Sequence, residues 1–178
     1  MTLYKNKYRI ESSRLRGYDY SQPGSYFITI CTRNRIPFFG EIDNDKMILS
    51  EIGRIVKEEW FATPKIRPNM NIEMDAFVIM PNHIHGIIVI YPCRDVMHLI
   101  STDHIDSNKF VPQSNNIPSI IRGIKSSVTI RARKINPDFA WQPRFYDHII
   151  RTDPELNQIR QYIMDNPQNW AKDKNYLF

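Results

Sequence analysis

Cysteine is scarce in this chain of 178 residues, where only Cys31 and Cys93 occur. Two thiols make no disulfide framework, and the chain reads as a protein of a reducing cytoplasm. Long apolar runs are missing too. None approaches the length that crosses a bilayer, so no membrane partner is expected. The opening Met1-Thr2-Leu3-Tyr4-Lys5-Asn6-Lys7-Tyr8 lacks the apolar core of a signal peptide. The chain has no Gly-x-x-x-x-Gly-Lys-Ser/Thr loop, so its chemistry is not expected to draw on nucleotide hydrolysis. Internal repeats and low-complexity tracts are also missing. What remains, 42% hydrophobic and 24% charged residues, is ordinary for a single globular domain over 1–178.

The net charge of +5 is unevenly placed. Residues 1–36 hold seven Lys or Arg against Glu11 and Asp19, with a basic N-terminal segment over about 1–22. Residues 111–137 hold Arg122, Lys125, Arg131, Arg133 and Lys134 and no acid. Segregated positive charge suits a polyphosphate partner, because each neutralised phosphate releases counterions. A merely solvated basic face would show the same pattern.

Local patterning predicts seven elements. Residues 25–33 are β-branched and aromatic after Pro23-Gly24 and read as a strand. Ile48, Ile52, Ile55, Val56 and Trp60 recur at helical spacing over 47–61, and Pro64 and Pro68 are expected to break the chain. Residues 70–80 and 83–91 read as two strands of an antiparallel hairpin turning at Pro81-Asn82. The polar stretch of about 92–118 is too long for a connector and is expected to be a flexible loop. A second helix is expected over 119–135 and a fourth strand over 141–151. Thr152-Asp153-Pro154-Glu155 then opens a last helix ending near Asp165 or Asn166, before Pro167. The order strand, helix, strand, strand, helix, strand, helix predicts an α+β, ferredoxin-like two-layer sandwich: a mostly antiparallel sheet with helices on one face.

The chemistry-bearing residues concentrate in two of these elements. His83 and His85 alternate with Ile84 in an apolar strand, so both imidazoles point to one side. Two neutral imidazoles so placed can grip one divalent ion, although an isolated His-x-His is as readily a half-buried structural pair. In the last helix Leu156, Ile159 and Ile163 form the apolar stripe, and Tyr162 lies at its edge between Gln158 and Asn166, one turn away on either side. A tyrosine at such an edge is commonly an amphipathic packing residue. Taken together, a phenol and a metal seat supply what a phosphodiester transesterase needs: the cation polarises the phosphate, and the tyrosine oxygen forms a covalent phosphotyrosine.

Met80-Pro81-Asn82-His83-Ile84-His85-Gly86 resembles the HUH signature of the single-tyrosine transposases of small insertion sequences. Trp141-Gln142-Pro143-Arg144-Phe145-Tyr146-Asp147-His148-Ile149-Ile150-Arg151, with Tyr162-Ile163-Met164-Asp165-Asn166-Pro167, is closer still to their REP-associated tyrosine transposase branch. The resemblance spans roughly 12–170 apart from the polar loop. It implies a metal-dependent endonuclease and strand transferase acting on single-stranded DNA with hairpin or palindromic ends, leaving a 5′-phosphotyrosine and a free 3′-hydroxyl. Tyr162 falls on the nucleophile position and His83 and His85 on the metal ligands, with Mg²⁺ or Mn²⁺ as the expected ion. Asn166 stands where insertion-sequence relatives carry a glutamine ligand, and its amide oxygen can serve the same ion.

Around this set, His148 is a candidate phosphate contact or proton relay, with Gln158 as further support. Arg33, Arg122, Lys125, Arg144 and Arg151 are candidates for DNA backbone contacts. Trp141, Tyr146 or Tyr26 could stack on an unpaired base, packing being the commoner role. The expected location is the cytoplasm, at the nucleoid when bound to DNA, and a homodimer is one arrangement open to the chain. The competing reading is a non-catalytic or domesticated HUH module that binds structured DNA or RNA. Binuclear zinc hydrolases and histidine triads fit poorly, because isoleucines follow His85 where those sites need Asp or His.

Overall fold

The computed structural model describes residues 15, 17–92, 115–173 and 175–176, with two two-residue strands, β1 (Leu3–Tyr4) and β2 (Lys7–Tyr8). Most of the loop expected over 92–118, together with Cys93, lies outside the described residues, as does much of the basic segment over 1–22. The framework continues with β3 (Gly24–Cys31), β4 (Gly40–Asp43), β5 (Lys46–Leu49), α1 (Glu51–Ile66), β6 (Ile72–Met80), β7 (His83–Ile90), α2 (Ile117–Ala132), β8 (Tyr146–Ile150) and α3 (Asp153–Asp165). Four strands form one antiparallel sheet in the order β6-β7-β3-β8. That is the α+β, ferredoxin-like arrangement.

Several boundaries differ from the expectation, each for a local reason. β3 stops at Cys31 because Arg33–Arg35 forms a 3-10 turn with Asn34 and Arg35 at φ of 54° and 55°. The helix expected over 47–61 begins later. Met47 and Ile48 belong to a hairpin that turns at Asn44 and Asp45, both at positive φ, as a two-residue turn requires. Ser50 starts α1 by accepting a hydrogen bond from the Gly53 N–H at 3.0 Å. The helix then continues through Pro64, which sits in its last turn and removes a single backbone bond there. α2 covers 117–132 rather than 119–135, because Asn116 and Ser119 cap it reciprocally. The fourth strand is shorter than 141–151, and Trp141 makes only an isolated bridge to Thr32.

Alternation along β7 gives the sheet two different faces. Ile84, Gly86 and Ile88 look toward α1 and α2. The Trp60 indole fills the space above Gly86, where an added Cβ would lie 2.4 Å from Trp60 Cζ2, so only glycine fits. That indole stacks on Phe77 with ring centroids 4.5 Å apart. Ile28, Ile30, Ile120, Ile124 and Val128 complete this core, each fully buried aliphatic adding about 1.5–3 kcal/mol.

The expectation of helices on one face holds for α1 and α2 only, since α3 covers the opposite face. Its stripe of Leu156, Ile159 and Ile163 packs with Ile87, Ile150, Phe27 and Val78 into a smaller cluster. This is the face that carries His83 and His85. Thr152 caps the helix by accepting from the Glu155 N–H at 3.3 Å. Farther along α3, the Arg160 guanidinium ties it to Asp75 on β6, with Nε 3.1 Å from Oδ2.

Candidate active site

Each imidazole is oriented by a neighbour on its own face. The Asn82 amide donates to the Asn175 carbonyl at 2.9 Å, so its Oδ1 is the atom facing His83 Nδ1 at 2.8 Å. His83 Nδ1 therefore carries the proton, and Nε2 is left with a lone pair. His85 Nδ1 lies 2.8 Å from the hydroxyl of Thr29, its cross-strand partner, which leaves its Nε2 for the cavity side as well. The two Nε2 atoms face each other at 3.0 Å. Two lone pairs that close repel unless a proton or a cation lies between them. Cis ligands of an octahedral ion at about 2.1 Å stand about 3.0 Å apart, so the pair has a spacing that suits a Mg²⁺-like ion.

Oxygen donors complete the set. Asp173 Oδ2 is 3.8 Å from His83 Nε2, and the ligand atoms of His83, His85 and Asp173 all fall within 4.8 Å of one another. Asn166, the C-cap of α3, is buried, and its Oδ1 accepts no hydrogen bond from any described residue. A buried acceptor left unpaired is costly, and a cation would satisfy it. The donor set of two imidazoles and one or two oxygens therefore fits a divalent ion.

Tyr162 projects from α3 into the same place. Its hydroxyl lies 3.3 Å from His85 Nε2, and the two ring centroids are 5.3 Å apart. Phe27 forms the floor, stacked on His85 at 5.3 Å and meeting Tyr162 edge-on at 6.1 Å. Burial and the Asp173 carboxylate raise the Tyr162 phenol above its ordinary range, while the Asn166 side chain acts in the opposite sense. An open cavity of ≈460 Å³ lies over this group, of a size that admits a nucleotide-scale ligand. Tyr146, Asn169 and Lys172 line it together with Thr29, His85, Tyr162, Asn166 and Asp173. His83 is fully buried behind them, with the Trp170 ring 5.9 Å away.

The structure thus brings Tyr162, His83, His85 and Asn166 together within one chain. The remaining expected residues fall elsewhere. His148 Nε2–H donates to Glu155 Oε1, 2.7 Å away, and braces the start of α3 instead of reaching the cavity. Gln158 is exposed and does not line the cavity. Lys125, expected at the DNA backbone, instead donates to the carbonyls of Gln142 at 2.7 Å and Arg144 at 2.9 Å, and burial lowers its ammonium to about 8. Arg33, Arg122, Arg144 and Arg151 are exposed, and none lines the cavity. Asp173, Lys172 and Asn169 were not expected at the site. They come after α3, within and on either side of a short 3-10 turn (Trp170–Lys172) that carries no periodic or motif signal in the sequence, so only folding reveals that they return to the histidines.

The chain has the fold of a tyrosine transposase: a REP-associated tyrosine transposase bound to a REP hairpin matches with a TM-score of 0.61 and 24% identity, over 92% of this chain and 77% of that one. A candidate transposase from Deinococcus radiodurans R1 matches with a TM-score of 0.47 and 18% identity, over 85% of this chain and 95% of that one. The chain belongs to the same family as an uncharacterised protein of Haemophilus influenzae Rd, 41% identical over an alignment of 175 residues that covers 93% of this chain and 92% of the relative. No family model matches.

Proposed function

We propose that this protein is a metal-dependent single-tyrosine nuclease and strand transferase acting on single-stranded DNA that carries hairpin ends. The observation that carries the reading is the 3.3 Å approach of the Tyr162 hydroxyl to His85 Nε2, at the mouth of an open cavity. In the reaction the Tyr162 oxygen bonds to phosphorus as the bond to the 3′ oxygen breaks. The phenol proton passes to solvent over the half-exposed ring, and the departing 3′ oxygen takes up a proton to become a hydroxyl. Reversal by another strand's 3′-hydroxyl rejoins DNA and restores the tyrosine, so the phosphodiester energy is kept.

His83 and His85, with an oxygen of Asn166 or Asp173, would hold Mg²⁺ or Mn²⁺, which when bound supplies Lewis-acid polarisation of the phosphate. Thr29 and Asn82 keep the imidazoles turned to one point. Lys172 on the cavity wall offers a cation to the phosphate. Both halves of the site come from one chain, so a homodimer is not needed to complete it.

The test is a labelled hairpin with a single-stranded flank, incubated with Mn²⁺ and resolved under denaturing conditions. The wild type should form an adduct that detergent does not release, and Tyr162→Phe should form none. Cleavage by the Phe variant would remove Tyr162 from the role. The complete burial of His83 favours a second reading, a non-catalytic or domesticated module for structured DNA or RNA. That reading is selected if the wild type holds the hairpin tightly and no adduct forms.

A further inference from the structure

The aromatic rings around the cavity are not used alike. Phe27 is its floor and Tyr162 the proposed nucleophile, yet Tyr146 occupies a wall with no part in that chemistry. Of the three aromatics considered for stacking on a base, Tyr26 is 0% and Trp141 8% exposed, whereas Tyr146 is 48% exposed. Its direction is set by β8: Tyr146 pairs with Thr29 and so projects on the face of Thr29, Phe27 and His85. Its ring meets Phe27 at 6.4 Å between centroids, and Tyr162 meets the same ring at 6.1 Å, so the two phenols flank one floor.

The segment leading into Tyr146 is built to hold it there. Arg144 has φ of 69°, a region that residues with side chains seldom occupy. The Lys125 ammonium gathers the Gln142 and Arg144 carbonyls from below. A backbone held in a rare conformation beside a cavity suits a segment that presents the next side chains to a ligand. The side chain presented is a large, half-open ring on a wall where an exposed apolar surface gains nothing by itself.

We propose that Tyr146 is a stacking platform for an unpaired nucleobase next to the scissile phosphodiester, an assignment that rests on the nuclease reading above. A strand whose phosphate meets Tyr162 carries its neighbouring base over the floor shared with Tyr146. Every base has a π-face, so stacking there favours single-stranded over paired DNA without demanding one sequence.

The experiment uses the full chain, without divalent metal, and a hairpin whose single-stranded flank carries 2-aminopurine at each position beside the cleavage point in turn. Binding should quench the probe at one such position. Tyr146→Phe should keep the quench and the affinity, while Tyr146→Ala loses the quench and binds roughly 5- to 100-fold more weakly. An abasic site at that position should weaken the wild type by the same factor and leave Tyr146→Ala unchanged. A full abasic penalty in Tyr146→Ala would overturn the platform. Stacking as expected without a Tyr162 adduct would overturn the nuclease reading alone, and failure of the wild type to bind any flanked hairpin would overturn both.

Discussion

Strand β7 serves two faces that obey opposite rules. Toward α1 and α2 its Ile84, Gly86 and Ile88 meet a core closed so tightly that the Trp60 indole leaves no room for a methyl group at Gly86. Toward α3 its His83 and His85 meet a phenol that is 43% exposed, an amide oxygen on Asn166 that no described residue pairs, and an open cavity. The first face gains from removing apolar surface from water, and among the described residues it tolerates orphans of its own, the Trp60 indole nitrogen for the sake of that ring's packing and Asp147 Oδ1 beside Ile28. The second face keeps polar groups whose proposed partners are a cation and a phosphate. Stability and chemistry are thus divided between the two sides of one sheet, by residues adjacent in sequence.

Substitutions can break that division or sharpen it. The largest effect belongs to Tyr162→Phe, which should lower covalent adduct formation by roughly a thousandfold or more while hairpin affinity stays within about twofold. Gel quantification of the adduct beside a binding isotherm checks it, and equal loss of both would place the hydroxyl in binding instead. On the other face Trp60→Ala should cost about 3–5 kcal/mol of folding stability in denaturant unfolding, with adduct formation per folded molecule kept. A folded Trp60→Ala protein without activity would show that the faces are coupled.

His85→Ala should weaken Mn²⁺ binding by about a hundredfold in titration calorimetry, with a smaller change in unfolding temperature than Trp60→Ala produces. The smallest effect concerns the foot of α3. The backbone N–H of Arg151 and then His148 hold the Glu155 carboxyl below its usual range. A lowered acid contributes stability above its unfolded value of about 4.3 and loses it as pH falls through the folded one. The protection factor for amide exchange in the first turn of α3, taken against the intrinsic rate at each pH, should therefore fall at acid pH, and Glu155→Gln should remove that dependence.

Much of the fold was legible because its signals are local. Period-two alternation placed both histidines on one side of a strand, the spacing of Leu156, Ile159 and Ile163 marked the apolar stripe of α3, and Thr152 announced its start. The β4-β5 hairpin was hidden because Ile48 happens to continue the helical period of Ile52, Ile55 and Val56, which masks the positive-φ turn at Asn44 and Asp45. His148 looked like a site residue because it lies in the stretch that resembles the family's motif, but in the fold it meets Glu155 and does not line the cavity.

By itself the sequence determined the order of most elements, the shared side of His83 and His85, and the presence of a tyrosine on an amphipathic helix, since each rests on residues within a few positions of one another. Only the tertiary structure decided that α3 covers the histidine face, that Asp173 and Lys172 return to it from beyond the last helix, and that Lys125 turns inward. Those outcomes depend on how whole elements pack, and no periodicity encodes the convergence on a few ångströms of residues some ninety positions apart.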